Sequence, residues 1–273
     1  LNDGTDVSVP SAEDNTDGTA VSADDIGSVL IDALAGSVVV NSDILSGSGH
    51  ITLKAGTAMD LNTGVDVKTA SAGTISLDAE GGALTMHGTV NVEASTSSLR
   101  VAASGNIVLG NLTATNVSVI TSGGAITNAA GTSKNVTATN LRLEADDAIG
   151  ASGRHLSLNV ATVTAHSTGT NSAGIYLTED NAITVNTVAV TVNDFNANAS
   201  TTVVTDSSQS DLASGNNGTI VLVATLGDVT LNDGTDADGI ALNADGSGDV
   251  LIDSEAGNVT ANADILSDTG HIT

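Results

Sequence analysis

Three short groups of residues carry side chains that hydrolysis of a glycosidic bond would use: Asn15-Thr16-Asp17, Asp24-Asp25 and Gly49-His50. Such a site needs paired carboxyl groups, a histidine and a basic residue that converge on one face. The first two groups are separated by only seven residues, which is too close for equivalent positions on successive turns of a repeating fold. No Lys or Arg follows in the required place, and the near absence of aromatic residues leaves no platform for a sugar ring. We therefore expect no enzyme and no catalytic residue.

The densest acidic turn occurs twice, with Asp3 and Asp6 in the first copy and Asp233, Asp236 and Asp238 in the second. Calcium takes six to eight oxygen ligands from loops of this kind. Neither a complete EF-hand loop nor the nonapeptide GGxGxDxUx is present, and the turn preference of Asp-Gly explains these residues without an ion. We expect no metal ligand and no cofactor. Specific calcium binding is the alternative, beside diffuse association of divalent cations with an acidic surface.

Two histidines, His50 and His271, occupy the same position in the two copies, immediately after a glycine. Alternation places them on the outer face, because Ile51 and Ile272 point inward. We expect solvated histidines at the start of a strand, with a metal or pH-sensing role as the alternative. The remaining histidines have no spacing typical of metal ligands: His87, His155 and His166.

The composition excludes several classes of partner. The chain has a net charge of -26 and only six Lys and Arg residues, so it lacks the basic clusters that bind nucleic acid or an anionic membrane. No apolar run approaches the roughly 18 residues that span a bilayer, so we expect no membrane insertion. Cysteine is absent, which excludes disulfides and thiolate metal sites.

A long internal repeat of about 221 residues organises the chain, because residues 1–52 return at 231–273. LNDGTD at the start recurs unchanged from Leu231, and GSVLID at Gly27 returns as GDVLID at Gly248. From Gly18 onward the offset between the copies is constant, and the difference in their lengths lies near Pro10. Repeats of this kind indicate a repeat architecture. We predict one continuous segment over 1–273, cut from a longer array.

A shorter period runs inside the long one. Glycine heads an alternating apolar strand at Gly27, Gly36 and Gly49, and the first and third of these set a period of about 22 residues. Strands of three to five residues between turns of Gly, Asn, Asp and Ser are typical of a parallel β-helix. Aromatic residues make up only 1% of the chain, so stacked Val, Ile, Leu and Ala must fill the core. We predict an all-β fold, a right-handed parallel β-helix (solenoid) with about 22 residues per coil.

Two stretches break this pattern. The polar region from Asn193 to Asn217 and the stretch from Val7 to Asp17 show little strand periodicity. A solenoid tolerates insertions in its loops rather than in its ladders. We expect both stretches to be excursions, the first as a protruding loop or a loosely ordered coil.

Several segments resemble the repeat region of giant bacterial exoproteins and adhesins. They are the run from Gly123 to Val185, with its DDAIG and GIYLTE segments, and the GDVTL and GHITL strands. This region is similar to filamentous haemagglutinins and other products of two-partner or autotransporter secretion. The resemblance implies a secreted β-helical stalk with an adhesive or structural role at the bacterial cell surface.

Three hypotheses on function follow from these patterns. The leading one is a non-enzymatic structural and adhesive segment, which acts as a stiff stalk or a fibre-forming unit that self-associates along or between rods. The second is an adhesin whose loops bind a ligand on a cell surface or in a matrix. The third and most remote is a carbohydrate-active β-helix enzyme.

Overall fold

Short alternating runs of apolar and polar residues form the strands of this protein. In Val29–Ala33, for example, Val29, Ile31 and Ala33 are buried, whereas Leu30 and Asp32 between them are partly exposed. This is the two-residue alternation of an extended strand with one face in a core. The computed structural model describes residues 2–3, 7–9, 19–167, 169 and 174–273. Within those ranges the chain forms 28 strands and no helix, so the predicted all-β class is confirmed.

The strands are numbered in chain order. The first fourteen are β1 Asn2–Asp3, β2 Val7–Val9, β3 Thr19–Ala23, β4 Val29–Ala33, β5 Val38–Val40, β6 Asp43–Ser46, β7 Ile51–Ala55, β8 Met59–Leu61, β9 Asp66–Thr69, β10 Ile75–Ala79, β11 Leu84–Met86, β12 Asn91–Ala103, β13 Ile107–Leu109 and β14 Asn111–Thr121. The others are β15 Ile126–Asn128, β16 Val136–Ala145, β17 Leu156–Ser167, β18 Ile175–Glu179, β19 Ile183–Val185, β20 Val188–Phe195, β21 Thr201–Gln209, β22 Leu212–Ser214, β23 Ile220–Ala224, β24 Val229–Leu231, β25 Ile240–Ala244, β26 Val250–Ser254, β27 Val259–Ala261 and β28 Asp264–Ser267.

The chain divides into two compact units. The first unit comprises Leu1–Ser118, Ala129–Ser133 and Val190–Asp206. The second unit comprises Val119–Asn128, Lys134–Ala189 and Ser207–Thr273. Nothing in the described residues tests the predicted single continuous segment, which stays a prediction.

Parallel ladders with a regular register build the first unit. In the ladder β4–β7–β10–β12, Val29 pairs with Ile51, Ile51 with Ile75, and Ile75 with Leu99. The ladders β5–β8–β11 and β6–β9–β12 run beside it, also in parallel. Each period of the chain, called a coil below, therefore contributes three strands, one to each ladder. The pairing of Val29 with Ile51 matches the period predicted from the glycine spacing.

Aliphatic side chains fill the core of this unit, as the composition predicts. The column formed by Ile31, Leu53, Leu77 and Val101 runs along the first ladder, and none of the four is more than 1% exposed. Each large aliphatic side chain stabilises the fold by about 1.5–3 kcal/mol when it is fully buried. Because every residue packs on its equivalent in the next coil, branched aliphatic side chains suffice where a globular core would use aromatic ones.

Close stacking of turns explains why glycine heads so many strands. Ser46 Oγ donates to the Gly27 carbonyl at 2.7 Å, and Thr69 Oγ1 donates to the Gly49 carbonyl at 3.0 Å, one coil later. A Cβ on Gly49 would overlap the Gly27 carbonyl oxygen, and a Cβ on Gly73 would overlap that of Gly49. The turns can therefore stack only if these positions carry no side chain.

The second unit uses the same parallel pairing with coils of unequal length. Val136 pairs with Leu158, which closes a coil of the predicted length, whereas Ile220 pairs with Val250, which closes a longer one. The longer coil holds an eight-residue loop, Asn232 to Gly239, between β24 and β25. Insertions thus enter between strands and leave the ladder register intact.

The region from Asn193 to Asn217 is not the protruding or loosely ordered loop that its polarity predicts. It contains most of a hairpin, the two-stranded sheet formed by β20 and β21. In the turn that joins the two strands, Asn196 N donates a hydrogen bond to the Ser200 carbonyl oxygen at 2.9 Å. The sequence misleads because β21, TTVVTDSSQ, is rich in Thr, Ser and Asp, whereas the buried valines of β20 lie before this region.

Within the first unit, residues 190–206 of this hairpin cover the outer face of the ladder β4–β7–β10–β12. Thr52 and Ser76 point outward from that ladder, yet they are 0% and 1% exposed. Phe195 N donates to Thr52 Oγ1 at 2.8 Å, and Asn193 N donates to Thr74 Oγ1 at 2.9 Å. The hairpin is therefore an integral layer of this unit.

Ion pairs attach both strands of the hairpin to the coils. Lys54 Nζ lies 2.9 Å from Asp194 Oδ2, and Arg100 Nε lies 3.1 Å from Asp206 Oδ1. Both aspartate side chains are only 7% exposed, so each buried carboxylate has a cation as its partner.

The other predicted excursion, Val7 to Asp17, is only partly within the described residues. Val7–Val9 forms β2, which pairs in parallel with β5. Residues 10–17, which include Pro10, lie outside the described residues. No helix in the described part of the chain is long and apolar enough to cross a bilayer.

Replacement of Gly49 by alanine tests the stacked turn. We expect Gly49→Ala to destabilise the first unit by about 1–3 kcal/mol, because the new Cβ forces apart two backbone segments that touch. Gly153→Ala is the matched control, since a Cβ at Gly153 meets no atom within 4 Å. Chemical denaturation followed by circular dichroism measures both variants. Equal stability of the two variants would contradict the close contact.

Candidate functional site

The eight-residue loop Asn232 to Gly239, here called the acidic loop, folds on itself through its own aspartates. Asp233 Oδ1 accepts a hydrogen bond from Gly239 N at 2.9 Å, and Asp238 Oδ1 accepts one from Ile240 N at 2.9 Å. Short aspartate side chains favour such local bonds to the backbone. The loop therefore has a defined shape, with Asp236 near its centre.

Two insertions of the second unit leave neighbouring coils at the same place. The first lies between β19 and β22 and contributes residues 186–189 and 207–211 to this unit, and the second is the acidic loop, between β24 and β25. The flanking strands are paired, since Val185 aligns with Leu231 and Leu212 aligns with Leu242. The register of the ladders thus brings the end of the first insertion next to the acidic loop.

Thr187 clamps the acidic loop to the end of the first insertion. Its Oγ1 accepts a hydrogen bond from Thr235 N at 2.7 Å and lies 2.8 Å from Ser210 Oγ. Gly234 has a φ of +84°, and a Cβ at this position would overlap the Ser210 side chain. Glycine is therefore required here by both conformation and space.

Asp211 is the buried member of the site. Its carbonyl oxygen accepts hydrogen bonds from Ala165 N at 3.0 Å and from Thr164 Oγ1 at 2.9 Å, so its backbone is fixed to β17. The residue has a φ of 67° and is 6% exposed. Its Oδ1 is buried without a hydrogen-bond partner among the described residues.

Three carboxylates meet at this point. One carboxylate oxygen from each of Asp211, Asp236 and Asp238 lies within 4.8 Å of the other two. Burial, followed by the negative charges of Asp236, Asp238 and Asp233, raises the pKa of Asp211 to about 7. The ionised form of Asp211 is thus disfavoured by both desolvation and repulsion.

A polar groove of about 380 Å³ adjoins the acidic loop, with Asp236 and Thr235 at its rim. Arg142 donates from Nη2 to Glu144 Oε2 at 2.6 Å and from Nε to the Ser207 carbonyl at 3.1 Å. His166 Nε2 lies 2.7 Å from the Ser210 carbonyl oxygen and must therefore carry a proton. Burial lowers the pKa of His166, which favours the neutral ring. These contacts bind the first insertion to the coils.

The two histidines predicted to be solvated differ in the structure. The His271 side chain is 91% exposed, as predicted, with Nδ1 3.3 Å from Asp249 Oδ1. His50 is partly buried and its Nδ1 accepts a hydrogen bond from Thr74 N at 3.1 Å, so the prediction of a solvated ring is wrong for His50. Burial lowers the pKa of His50. The reason is that Thr74, one coil later, lies under the hairpin.

The other candidate residues are scattered. His87 pairs with Asp60 at 3.1 Å, and His155 Nδ1 lies 2.8 Å from Thr178 Oγ1. His166 lies in the groove beside the acidic loop.

The groups considered for glycosidic hydrolysis are only partly described. Asp24 and Asp25 are exposed in the turn before Gly27. The group at Asn15 to Asp17 lies outside the described residues, as does Asp6. Asp3 lies in β1 rather than in an acidic turn.

Sequence reasoning identified Asp233, Asp236 and Asp238 but missed Asp211. Asp211 lies in a polar stretch with no repeat spacing, and only the ladder register places it beside the acidic loop. The available signal was the change from polar to apolar residues at Leu212, which marks the return to a strand.

The raised pKa of Asp211 predicts a pH-dependent effect of Asp211→Asn. Its carboxyl has a pKa of about 7 in the folded state against an ordinary 3.8, so the folded state holds the proton more tightly and loses stability as pH rises through this range. We expect the melting temperature of the variant to match the wild-type value near pH 4 and to exceed it by about 2–5 °C at pH 8. Calorimetry in EDTA, with the exposed Asp253→Asn as a control, measures the difference. An effect that is the same at both pH values would contradict the raised pKa.

Comparison of the chain with protein-family models, with curated proteins and with solved structures finds no match in any of the three. The resemblance to filamentous haemagglutinin repeats therefore stays a prediction from the sequence.

Proposed function

We propose that the chain is a non-enzymatic structural and adhesive repeat segment of a giant bacterial cell-surface or secreted protein. It would form a right-handed parallel β-helix that acts outside the cell as a stiff stalk or a fibre-forming unit. The observation that carries the proposal is that residues one long repeat apart perform the same structural role.

The stacked turn provides the first example. Ser46 Oγ donates to the Gly27 carbonyl at 2.7 Å, and its equivalent one long repeat later, Ser267 Oγ, donates to the Gly248 carbonyl at the same distance. Sequence similarity between the two copies thus coincides with the contacts that stack one coil on another. A stalk built from repeats requires that each repeat keep the contacts that stack its coils.

The pairing of a strand with the next coil provides the second example. Val29 N donates to the His50 carbonyl oxygen at 2.8 Å, and its equivalent one long repeat later, Val250 N, donates to the His271 carbonyl oxygen at the same distance. Val29 pairs in parallel with Ile51, and their equivalents, Val250 and Ile272, form a parallel bridge. The two copies thus share one register between coils, which stacking of repeats requires.

The proposed mechanism is geometric. Parallel crossover connections are right-handed in about 98% of cases, which favours a right-handed coil. With strands stacked at about 4.8 Å, a repeat of about eight coils would advance roughly 40 Å along the axis. The net charge of -26 keeps like rods apart unless cations bridge them, so self-association would depend on salt.

The alternative function is an adhesin whose loops bind a surface or matrix ligand. The loops considered for this role are Val7 to Asp17 and Asn193 to Asn217. Since residues 190–206 are packed on the coils of the first unit, recognition by the second of these stretches would use the exposed turn between β20 and β21. A carbohydrate-active enzyme is the remote alternative, and no observation favours it over the stalk.

Electron cryo-microscopy of a protein with three tandem copies of the long repeat tests the proposal. We expect a continuous rod whose length grows by roughly 40 Å with each added copy and which gives an axial spacing of about 4.8 Å. A protein with two copies is the control for length. Separate globules joined by linkers would contradict the stalk.

A further inference from the structure

We propose that Asp211, Asp236 and Asp238 bind one calcium ion in the second unit. This inference is independent of the proposed stalk, since it rests on three side chains and their surroundings. Loss of the calcium site would leave the coil architecture unchanged.

The spacing of the three carboxylates suits a single ion. Their nearest oxygens all lie within 4.8 Å of one another. Calcium binds oxygen at about 2.3–2.6 Å, so two of its ligands are separated by at most about 5 Å. Three carboxylates leave further positions on the ion for loop carbonyls and water, as calcium's coordination by six to eight oxygens requires.

The burial of Asp211 is a second and separate observation. Asp194 and Asp206 in the first unit are buried to a similar degree, at 5% and 7% exposure, and they pair with Lys54 and Arg100. Asp211 is 6% exposed and forms no ion pair among the described residues, and its Oδ1, like that of Asp194, has no hydrogen-bond partner there. A buried carboxylate needs a compensating charge, and the groups nearest to this one are further carboxylates. A divalent cation supplies that charge.

The scaffold holds the ligands in position without the ion. Hydrogen bonds from Thr164 and Ala165 fix the backbone of Asp211, and Thr187 fixes the acidic loop next to Asp236. Ligands that are positioned in advance lose little conformational entropy on binding.

The chemistry of the ligands selects the ion. All three ligands are carboxylate oxygens, which suit calcium and magnesium better than softer transition metals. Magnesium demands near-ideal octahedral geometry and is usually held by one or two carboxylates with several waters. Three carboxylates, two of which lie on a loop that is exposed at Asp236 and Asp238, favour calcium.

A proton on Asp211 is the competing explanation. Protonated Asp211 can hydrogen-bond to Asp236, which relieves the same repulsion. The two explanations differ in one measurable respect, because only a calcium site gives saturable calcium binding that requires both Asp211 and Asp236.

Isothermal titration calorimetry of the full chain with calcium chloride tests the proposal. The protein is first treated with EDTA and dialysed into 150 mM sodium chloride, at roughly an 8 Å Debye length, to screen diffuse association. We expect one site with a dissociation constant on the order of 10⁻⁴ M, and magnesium chloride should bind at least about tenfold more weakly. Asp211→Asn and Asp236→Asn should each weaken calcium binding by at least about tenfold, because each removes a ligand charge.

The controls separate a specific site from a general acidic surface. Asp253→Asn removes an exposed charge elsewhere in the same unit and should leave the dissociation constant within about twofold of the wild-type value. Asp236 is exposed, so its replacement tests the site even if Asp211→Asn alters folding. Three results would each overturn the proposal. They are an equal loss of calcium affinity in Asp253→Asn and Asp236→Asn, an equal affinity of the protein for calcium and magnesium, and the absence of a saturable heat of calcium binding.

Discussion

The stacking of each coil on the next, with strands parallel and in register, is the constraint on which the rest of this structure depends. It fixes Val29, Ile51, Ile75 and Leu99 in one column, and it requires that the turns between strands approach closely. Glycine at positions 49 and 73 follows from that approach, because a side chain would enter the neighbouring backbone. A column of small aliphatic residues and a column of glycines are thus two consequences of one geometric requirement.

Register also decides where the insertions meet. An insertion leaves the coil between two strands and returns without disturbing the ladder, so two insertions on consecutive coils must be neighbours. This brings Asp211, at the end of one insertion, to the acidic loop of the next coil. In the first unit, the hairpin residues 190–206 cover a polar outer face through hydrogen bonds and two ion pairs. The ion pairs of the hairpin and the three carboxylates therefore lie outside the hydrophobic core.

The ladders were predictable from the sequence, whereas the site was predictable only in part. Alternation and glycine spacing indicate strands such as Val29–Ala33 and the period of the coils. The acidic loop was visible as Asp233, Asp236 and Asp238, but the absence of a known calcium motif led to the expectation of no metal ligand. No sequence pattern marks Asp211 as part of the site. It lies beside the acidic loop only because Leu212 pairs with Leu242, and composition does not predict this pairing. The region from Asn193 was mistaken for a loop because β21 is polar and is held by hydrogen bonds and an ion pair, for which hydrophobic periodicity carries no information.

The register between consecutive coils is the most direct test of stacked parallel coils, and the absence of cysteine makes it measurable. Asp60 of β8 pairs with Thr85 of β11, so cysteines at these two positions should have Cα atoms about 5 Å apart, within the range that a disulfide bridges. A pair at Asp60 and His87 is shifted by two residues and should lie beyond about 7 Å. We predict that mild oxidation cross-links Asp60→Cys/Thr85→Cys within the monomer and leaves Asp60→Cys/His87→Cys reduced. Equal cross-linking of the two pairs, or none in either, would contradict the stacked coils.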